Sequence, residues 1–301
     1  MTETDAVTSG PKIGVIGTPG KWSTEALADA LETRTGYRLV IDMSKVTLDL
    51  ARGALMFEGT DLATLDGLVI KKIAETYSVH ALDRLEMLRV AEARGVKIFS
   101  RPEAVLRLMD RLACTVTLTN AGAPMPPTVI TEDKNAAMEA VTRFGAAVFK
   151  PLFSTKARGM FVLDHDAPDA AEQIAAFKTE NPVMYIQQKA DLSGQDLGMV
   201  FLNGTYVCTY SRIGESGSWN TTIHSGGKYA PYDPTPELIE LGRRAQAPFG
   251  LTFTTVDIAL TPDGPIVFEV SAFGGYSGAL KGCGVDAMAL MADHVVKEIS
   301  A

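Results

Sequence analysis

The sequence lacks the features that would place it in several large classes. Its 301 residues include only three cysteines, Cys114, Cys208 and Cys283, far apart and odd in number. That excludes a disulfide framework and any zinc motif built on paired cysteines. Aromatic residues make up 7%, and no apolar run approaches the roughly 18 residues of a membrane-spanning helix. Basic residues are outnumbered, with 28 Lys and Arg against 36 Asp and Glu, for a net charge of −8. This balance argues against a duplex nucleic-acid binder, yet leaves room for a local basic cleft that takes an anion. The first residues, Met1-Thr2-Glu3-Thr4-Asp5, are polar and acidic, unlike a secretory signal, so a cytoplasmic setting is expected. Internal repeats, low-complexity tracts and a convincing Ser-His-Asp or Cys-His set are lacking too.

What is present is alternation. The apolar run Ile13-Gly14-Val15-Ile16-Gly17 precedes a helix-like stretch from Thr24 to Glu32. Leu39 to Ile41, Leu68 to Ile70 and Val96 to Phe99 follow, with an amphipathic stretch from Val79 to Arg94. Short β-rich runs separated by helical patterns predict a parallel sheet with crossovers over residues 1–101. A helix-like stretch from Glu103 to Thr119 then runs into Gly122 and three prolines, Pro124, Pro126 and Pro127. Beyond it, strands near 128–130, 146–149, 160–163 and 184–186 with helices near 133–143 and 168–178 predict a small α+β lobe over 102–186. The remainder reads as strands at 196–201, 206–213, 253–260 and 266–270, with helices at 236–247 and 285–299. Asn203-Gly204 and Pro262-Asp263-Gly264 mark its hairpin turns. Three lobes result, and the clefts between them are the expected ligand sites.

Two acids stand out because their surroundings are apolar. Asp257 lies between Val256 and Ile258, and Glu269 lies in Ile266-Val267-Phe268-Glu269-Val270-Ser271. A carboxylate in such company is costly to bury unless a cation meets it. On adjacent strands the two can share a face and hold magnesium through oxygen, or each can face solvent. Glu269 leads into Ser271-Ala272-Phe273-Gly274-Gly275-Tyr276-Ser277-Gly278, backbone able to approach an anion closely. Lys150 ends the apolar run from Ala146, where a lysine reaches an anion or snorkels to water. The segment Phe153 to Gly159 mixes hydroxyls with Lys156 and Arg158, as a phosphate lid or a surface hairpin would. Asp110-Arg111 alone is a solvated helix face, and Arg212 closes the strand from Tyr206. Trp219 to Gly227 is rich in hydrogen-bonding side chains, with His224 a candidate for catalysis or simply a satisfied loop residue. Lys71-Lys72 ends a first-lobe strand and would suit an acidic second substrate or pack on a helix. Gly14 to Gly20 departs from the dinucleotide fingerprint in spacing, and only Asp42 stands near the second strand's end.

The order of these pieces resembles the ATP-grasp superfamily, and within it the RimK-like carboxylate–amine ligases, over nearly the whole chain. The markers are Asp110-Arg111 with Gly122 to Pro127, then Val148-Phe149-Lys150-Pro151 and its loop, and Ile186-Gln187-Gln188-Lys189. Asn220 to Gly227 follows, and last come Asp257 and Phe268-Glu269-Val270-Ser271. The resemblance implies an α/β and α+β chain with the ATP-grasp fold. A Rossmann-like lobe (1–101) would precede a central α+β lobe (102–186) and a C-terminal antiparallel-sheet lobe (187–301). It also implies ATP, with Lys150 and Arg111 on the phosphates and Ser154, Lys156 and Arg158 in a closing loop. Gln187, Gln188 and Ala190 would form a hinge along the adenine, with Asp196 also among the nucleotide-binding positions. Asp257, Glu269 and Ser271 would hold two Mg2+ ions, with Mn2+ as an alternative. Arg212 and Lys150 would neutralise charge on the acyl phosphate.

Four departures from the family pattern stand out. The usual Asp-Lys is Asp110-Arg111, which keeps charge and changes geometry. The loop has fewer glycines and more cations, and the usual Glu-x-Asn is Glu269-Val270-Ser271. Gln188 also stands where an acid is common in the hinge. The implied chemistry is phosphorylation of a carboxylate by ATP and attack on the acyl phosphate by an amine. It rests on positioning and charge neutralisation, without a protein nucleophile. RimK-like enzymes commonly add amino acids, often glutamate, to peptides or cofactors. The expected product is therefore an L-glutamate, or other amino-acid, amide of a small acceptor such as a tetrahydromethanopterin- or methanofuran-type one-carbon carrier. Stretches 83–102, 118–128 and 149–160 are similar to the ATP-grasp group of the so-called GAK gene systems, which makes a peptide or protein substrate an alternative. The changes at Arg111, Gln188 and Ser271 make a non-catalytic ATP-binding relative another. Expected partners are small-molecule acid and amine substrates, with no nucleic acid and no membrane, and the family often pairs into dimers or tetramers.

Overall fold

The computed structural model describes residues 10–155, 157–192, 194–214, 221 and 227–301, with Val79 described through its backbone alone. Lys156 and His224 lie outside the described residues, as does the rest of the segment 219–226 apart from Thr221.

The first region is built on four parallel strands. The chain runs through β1 (Ile13–Ile16), α1 (Trp22–Thr35) and β2 (Val40–Ile41). A small antiparallel sheet follows, β3 (Thr47–Asp49), β4 (Ala54–Phe57) and β5 (Thr60–Asp61), which the sequence pattern did not reveal. Next come β6 (Gly67–Ile70), α2 (Val79–Ala93) and β7 (Lys97–Phe99). The parallel order is β2-β1-β6-β7. Every residue of β1 and β6 is buried, as expected for strands covered on both faces, and this is why they read as unbroken apolar runs.

The helix expected over 103–119 is two helices, α3 (Pro102–Met109) and α4 (Arg111–Asn120). The break is Asp110, whose extended backbone lets its carboxylate accept from the Leu112 amide at 2.9 Å and cap α4. Helical periodicity continues through the break, so the pattern of apolar residues does not show it. The cap matters because it directs Arg111 away from α3, with its amide donating to the Leu152 carbonyl at 3.1 Å.

The central region has β8 (Thr128–Thr131), α5 (Lys134–Phe144), β9 (Ala146–Lys150), β10 (Phe161–Asp164), α6 (Ala170–Glu180) and β11 (Met184–Gln188). Its sheet is antiparallel in the order β10-β9-β11-β8. It has a core of its own, where Phe149 stacks on Phe161 at 5.0 Å and meets Phe177 edge-on at 5.3 Å.

The last region has β12 (Gln195–Leu202), β13 (Thr205–Ile213), β14 (Lys228–Pro231), α7 (Pro236–Gln246), β15 (Phe253–Thr261) and β16 (Gly264–Ser271). Then α8 (Tyr276–Cys283) and α9 (Ala287–Ser300) complete it. Its antiparallel order is β14-β13-β12-β15-β16. Strand β14 and helix α8 were not expected, and the glycine-rich stretch after Ser271 runs into helix from Tyr276. The first and last regions share one core, in which Ile16, Leu68 and Ile70 join Leu197, Met199, Phe201 and Val256. Helix α9 returns to the first region, where Asp293 pairs with Arg34 of α1 at 2.6 Å. Among the described residues no helix is long and apolar enough to cross a membrane.

Candidate functional site

The central sheet ends in a cation. Lys150 closes β9, and its Nζ donates to Gln187 Oε1 on neighbouring β11 at 2.5 Å. Gln187 is 1% exposed, and its amide nitrogen donates to Thr128 Oγ1 (3.0 Å) and Tyr185 Oη (3.1 Å). Those two bonds turn the amide oxygen toward Lys150. The ammonium also lies 5.3 Å from the Phe268 ring centroid, on strand β16. Burial, and then the nearby Arg111 charge, push Lys150 down to about 7, with Glu269 opposing the change.

Arg111 links this lysine to the carboxylates. Its Nη1 lies 3.2 Å from Glu269 Oε2, its Nη2 donates to Ser154 Oγ at 3.3 Å, and its Nε donates to the Pro151 carbonyl at 3.2 Å. The guanidinium thus ties together α4, the start of the loop after β9, and β16. A lysine has no fork with which to make three such contacts.

The second half of the site lies on one face of the antiparallel sheet. Register pairs Asp196 with Arg212, Gly198 with both Tyr210 and Asp257, and Asp257 with Glu269. Arg212 grips Asp196 with Nε (3.0 Å to Oδ1) and Nη2, and Nη2 also lies 3.1 Å from Asp257 Oδ1. Thr221 Oγ1 donates to Asp196 Oδ1 at 2.5 Å. Burial works against the Arg212 charge, but Asp257 and Asp196 outweigh it and hold the guanidinium well above its ordinary value. Burial, with Glu269 and Asp196 adding negative charge, pushes the Asp257 carboxyl up while Arg212 opposes.

The structure therefore brings Arg111, Lys150, Ser154, Gln187 and Glu269 together, and separately Asp196, Arg212 and Asp257, with the two sets joined across the Asp257–Glu269 pair. Gln188 contributes its backbone amide to the Pro127 carbonyl (2.8 Å), and Ala190 follows just beyond β11. Arg158 is exposed, with its amide donating to the Thr155 carbonyl at 3.3 Å, and it is not drawn into either set. Ser271 stands two residues beyond Glu269, and its Oγ accepts from the amides of Phe273 (3.4 Å) and Gly274 (3.2 Å). Asp42, the acid considered for a dinucleotide site, caps a short turn through the Ser44 amide instead.

These positions suit magnesium. Asp257 and Glu269 face each other across β15 and β16, and Glu269 is 43% exposed at its side chain. The donors are all oxygen and too few to cage an ion, as for magnesium completed by nucleotide phosphates. Among the described residues no set of three or more His, Cys, Asp and Glu could hold a metal unaided.

Sequence reasoning missed Tyr210. It is 3% exposed, and an ideal Cβ on Gly198, Gly278 or Gly282 would come within 2.3, 2.2 and 2.6 Å of it. Three glycines from β12 and α8 thus form a slot for one ring. Its hydroxyl lies over Gly198, whose register partners are Tyr210 and Asp257, and finds no hydrogen-bond partner among the described residues. The signal in the sequence was the four-residue spacing of Gly278 and Gly282.

Three regions with partly buried cations facing a carboxylate pair match the arrangement expected of the ATP-grasp class. The model of the RimK-like ATP-grasp domain matches residues 108–295. The tetrahydromethanopterin:alpha-L-glutamate ligase of Methanosarcina acetivorans is 26% identical over 82% of this chain and 82% of its own length. A Maridesulfovibrio salexigens protein named "Probable alpha-L-glutamate ligase" is 25% identical over 95% of each chain. Among solved structures, the ATP-grasp ligase PsnB, complexed with a phosphomimetic variant of a minimal precursor, Mg and ADP, superposes with a TM-score of 0.75. That match covers 96% of this chain and 99% of PsnB at 17% identity, and establishes the shared fold. The chain belongs to the RimK-like ATP-grasp family, and it is an enzyme, a carboxylate–amine ligase that forms an amide bond.

Proposed function

We propose that the protein uses ATP to phosphorylate a substrate carboxylate and joins the acyl phosphate to the amine of L-glutamate, on a small cofactor-like acceptor such as a one-carbon carrier. The observation that carries this reading is the opposition of Lys150 and Arg212 across the Asp257–Glu269 pair. Lys150 and Arg111 bind the nucleotide phosphates, with Ser154, Lys156 and Arg158 closing over them. Gln187, Gln188 and Ala190 form the hinge along the adenine, where the buried Gln187 amide also orients Lys150. Asp196 fixes the Arg212 fork, and Arg212 holds the acyl oxygen as negative charge develops on it. Asp257, Glu269 and Ser271 are the residues that would hold two magnesium ions, which supply charge neutralisation at the phosphates when bound. The names of the relatives support glutamate as the amine and a pterin-type acceptor. The reading requires the cytoplasm, where ATP and its acceptor meet, and is compatible with dimers or tetramers.

The test is ADP release by the full chain with Mg2+, ATP, L-glutamate and a panel of carboxylate acceptors, followed by mass spectrometry of the products. Release that depends on both glutamate and an acceptor, with a product heavier by one glutamyl unit, supports the reading. ATP binding without turnover across the panel would favour a non-catalytic relative instead.

A further inference from the structure

The central sheet has two faces, and the core of its own region covers only one. Phe149 and Ile186, register partners on β9 and β11, point into that core. Alternation therefore sets Tyr185 and Gln187 on the opposite face, with Lys150 paired to Tyr185 and Thr128 paired to Gln187. Helix α4 meets this face. Its Arg111 and Thr115 lie one turn apart, and both reach Tyr185. The Arg111 guanidinium carbon lies 6.0 Å from the ring centroid, and Thr115 Oγ1 lies 2.9 Å from the hydroxyl. Tyr185, Thr115 and Gln187 are all buried.

The hydrogens along this chain leave the Gln187 amide one way to face. Both of its N–H groups are used, one on Thr128 Oγ1 and one on Tyr185 Oη. Thr128 spends its single proton on the Pro126 carbonyl at 2.8 Å, so toward the amide it accepts. The amide oxygen is then left for the Lys150 ammonium. Turned over, the amide would set two hydrogens against a cation, and Thr128 would have to abandon Pro126. A buried amide keeps its orientation only while its partners hold it, and a partner lost there leaves a polar group unpaired away from water. Thr128 belongs to the edge strand of the same sheet, whereas Tyr185 carries the constraint across to α4, the helix that also presents Arg111.

We propose that Tyr185 is a positioning residue for nucleotide binding. Its hydroxyl, held by Thr115 of α4, keeps the Gln187 oxygen turned to Lys150 and so aims the ammonium at the phosphates that Arg111 also meets. This role rests on the ligase reading above, in which Lys150 and Arg111 bind the nucleotide phosphates, and deepens it. The alternative is packing alone, with Tyr185 filling the space between α4 and the sheet. The two differ in whether the effect of the hydroxyl passes through Gln187.

Calorimetric titration of the full chain with Mg2+ and a non-hydrolysable ATP analogue separates them. Tyr185→Phe keeps the ring, removes the hydroxyl, and should weaken analogue binding about five- to tenfold, roughly the worth of one net hydrogen bond. In a Gln187→Met background no amide remains to be turned, and the same substitution should change affinity less than about twofold. Thr115→Val should weaken binding by about two- to threefold, and Thr115→Ser, which keeps the hydroxyl, should retain the wild-type affinity. Wild-type affinity in Tyr185→Phe, or an equal loss in both backgrounds, would overturn the proposal. If Tyr185→Phe does not fold, the Thr115 pair decides, because equal affinity in Thr115→Val and Thr115→Ser overturns it as well. Failure of the ligase reading shows separately, as absence of analogue binding by the wild type or unchanged binding by Lys150→Met, and removes this role with it.

Discussion

Lys150 and Arg212 are two largely enclosed cations of one site, and they are held in opposite ways. Lys150 meets a neutral amide oxygen and another cation, and its surroundings work against its charge. Arg212 meets two carboxylates, and its charge is secured before any ligand arrives. The first arrangement leaves an attraction to be satisfied by phosphate, and so favours binding. The second neutralises the cation and fixes its direction, and so favours precise placement of charge in the transition state. Affinity and rate should therefore separate between the two residues.

Arg212→Lys is expected to have the largest effect. Lysine keeps the charge but cannot grip Asp196 and reach Asp257 together. A loss of about 10³-fold in kcat is expected, near the lower end of what arginines contribute to phosphoryl-group stabilisation. Nucleotide affinity, read by calorimetry, should change less than threefold. Lys150→Met should do the reverse, weakening nucleotide binding by up to roughly 100-fold, as expected for the loss of one hydrogen bond to a charged phosphate. If both variants lose the same parameter, the contrast between the halves is wrong.

A pH titration sharpens the contrast. Nucleotide phosphates favour the charged form of Lys150, so binding raises its pKa from about 7. Below that pH the lysine is already charged and affinity should be flat. Above it, binding takes up a proton and affinity should fall by up to about tenfold per pH unit. Calorimetry in buffers of different ionisation enthalpy detects the uptake directly. Lys150→Arg should flatten the profile, because arginine stays charged across this range.

The contrast was only half legible in the sequence. Asp257 and Glu269 could be paired from their apolar surroundings, because the turn at Pro262 to Gly264 joins their strands into a hairpin. Lys150 was legible as a charge at the end of an apolar run. Its partner Gln187 was not, because a hinge glutamine gives no sign that its side chain points inward. The Arg111 contacts were hidden by the break at Asp110, which lies within continuous helical periodicity. The Arg212 network depends on register between strands far apart in sequence, with Asp257 brought to it only through β12. Helix α8 was not anticipated because three of its eight residues are glycine or serine with poor intrinsic helix propensity, and packing on Tyr210 overrides that preference.

The smallest expected effect tests whether placement around Arg212 is as strict as its partners imply. Tyr210→Phe keeps the ring that fills the slot formed by Gly198, Gly278 and Gly282 and removes only the hydroxyl. That hydroxyl has no hydrogen-bond partner among the described residues, so the melting temperature should stay within about 1 °C, a shift below about 1 kcal/mol for a chain of this size. If the hydroxyl donates to substrate beside Arg212, kcat should nevertheless fall about five- to tenfold, the value of roughly one net hydrogen bond. Gly198→Ala makes the complementary change, crowding the ring while leaving the hydroxyl in place, and should lower stability more than it lowers the rate per folded molecule. A Tyr210→Phe enzyme with unchanged kcat would show that the glycine slot serves packing alone, and that Arg212 takes its position entirely from Asp196 and Asp257.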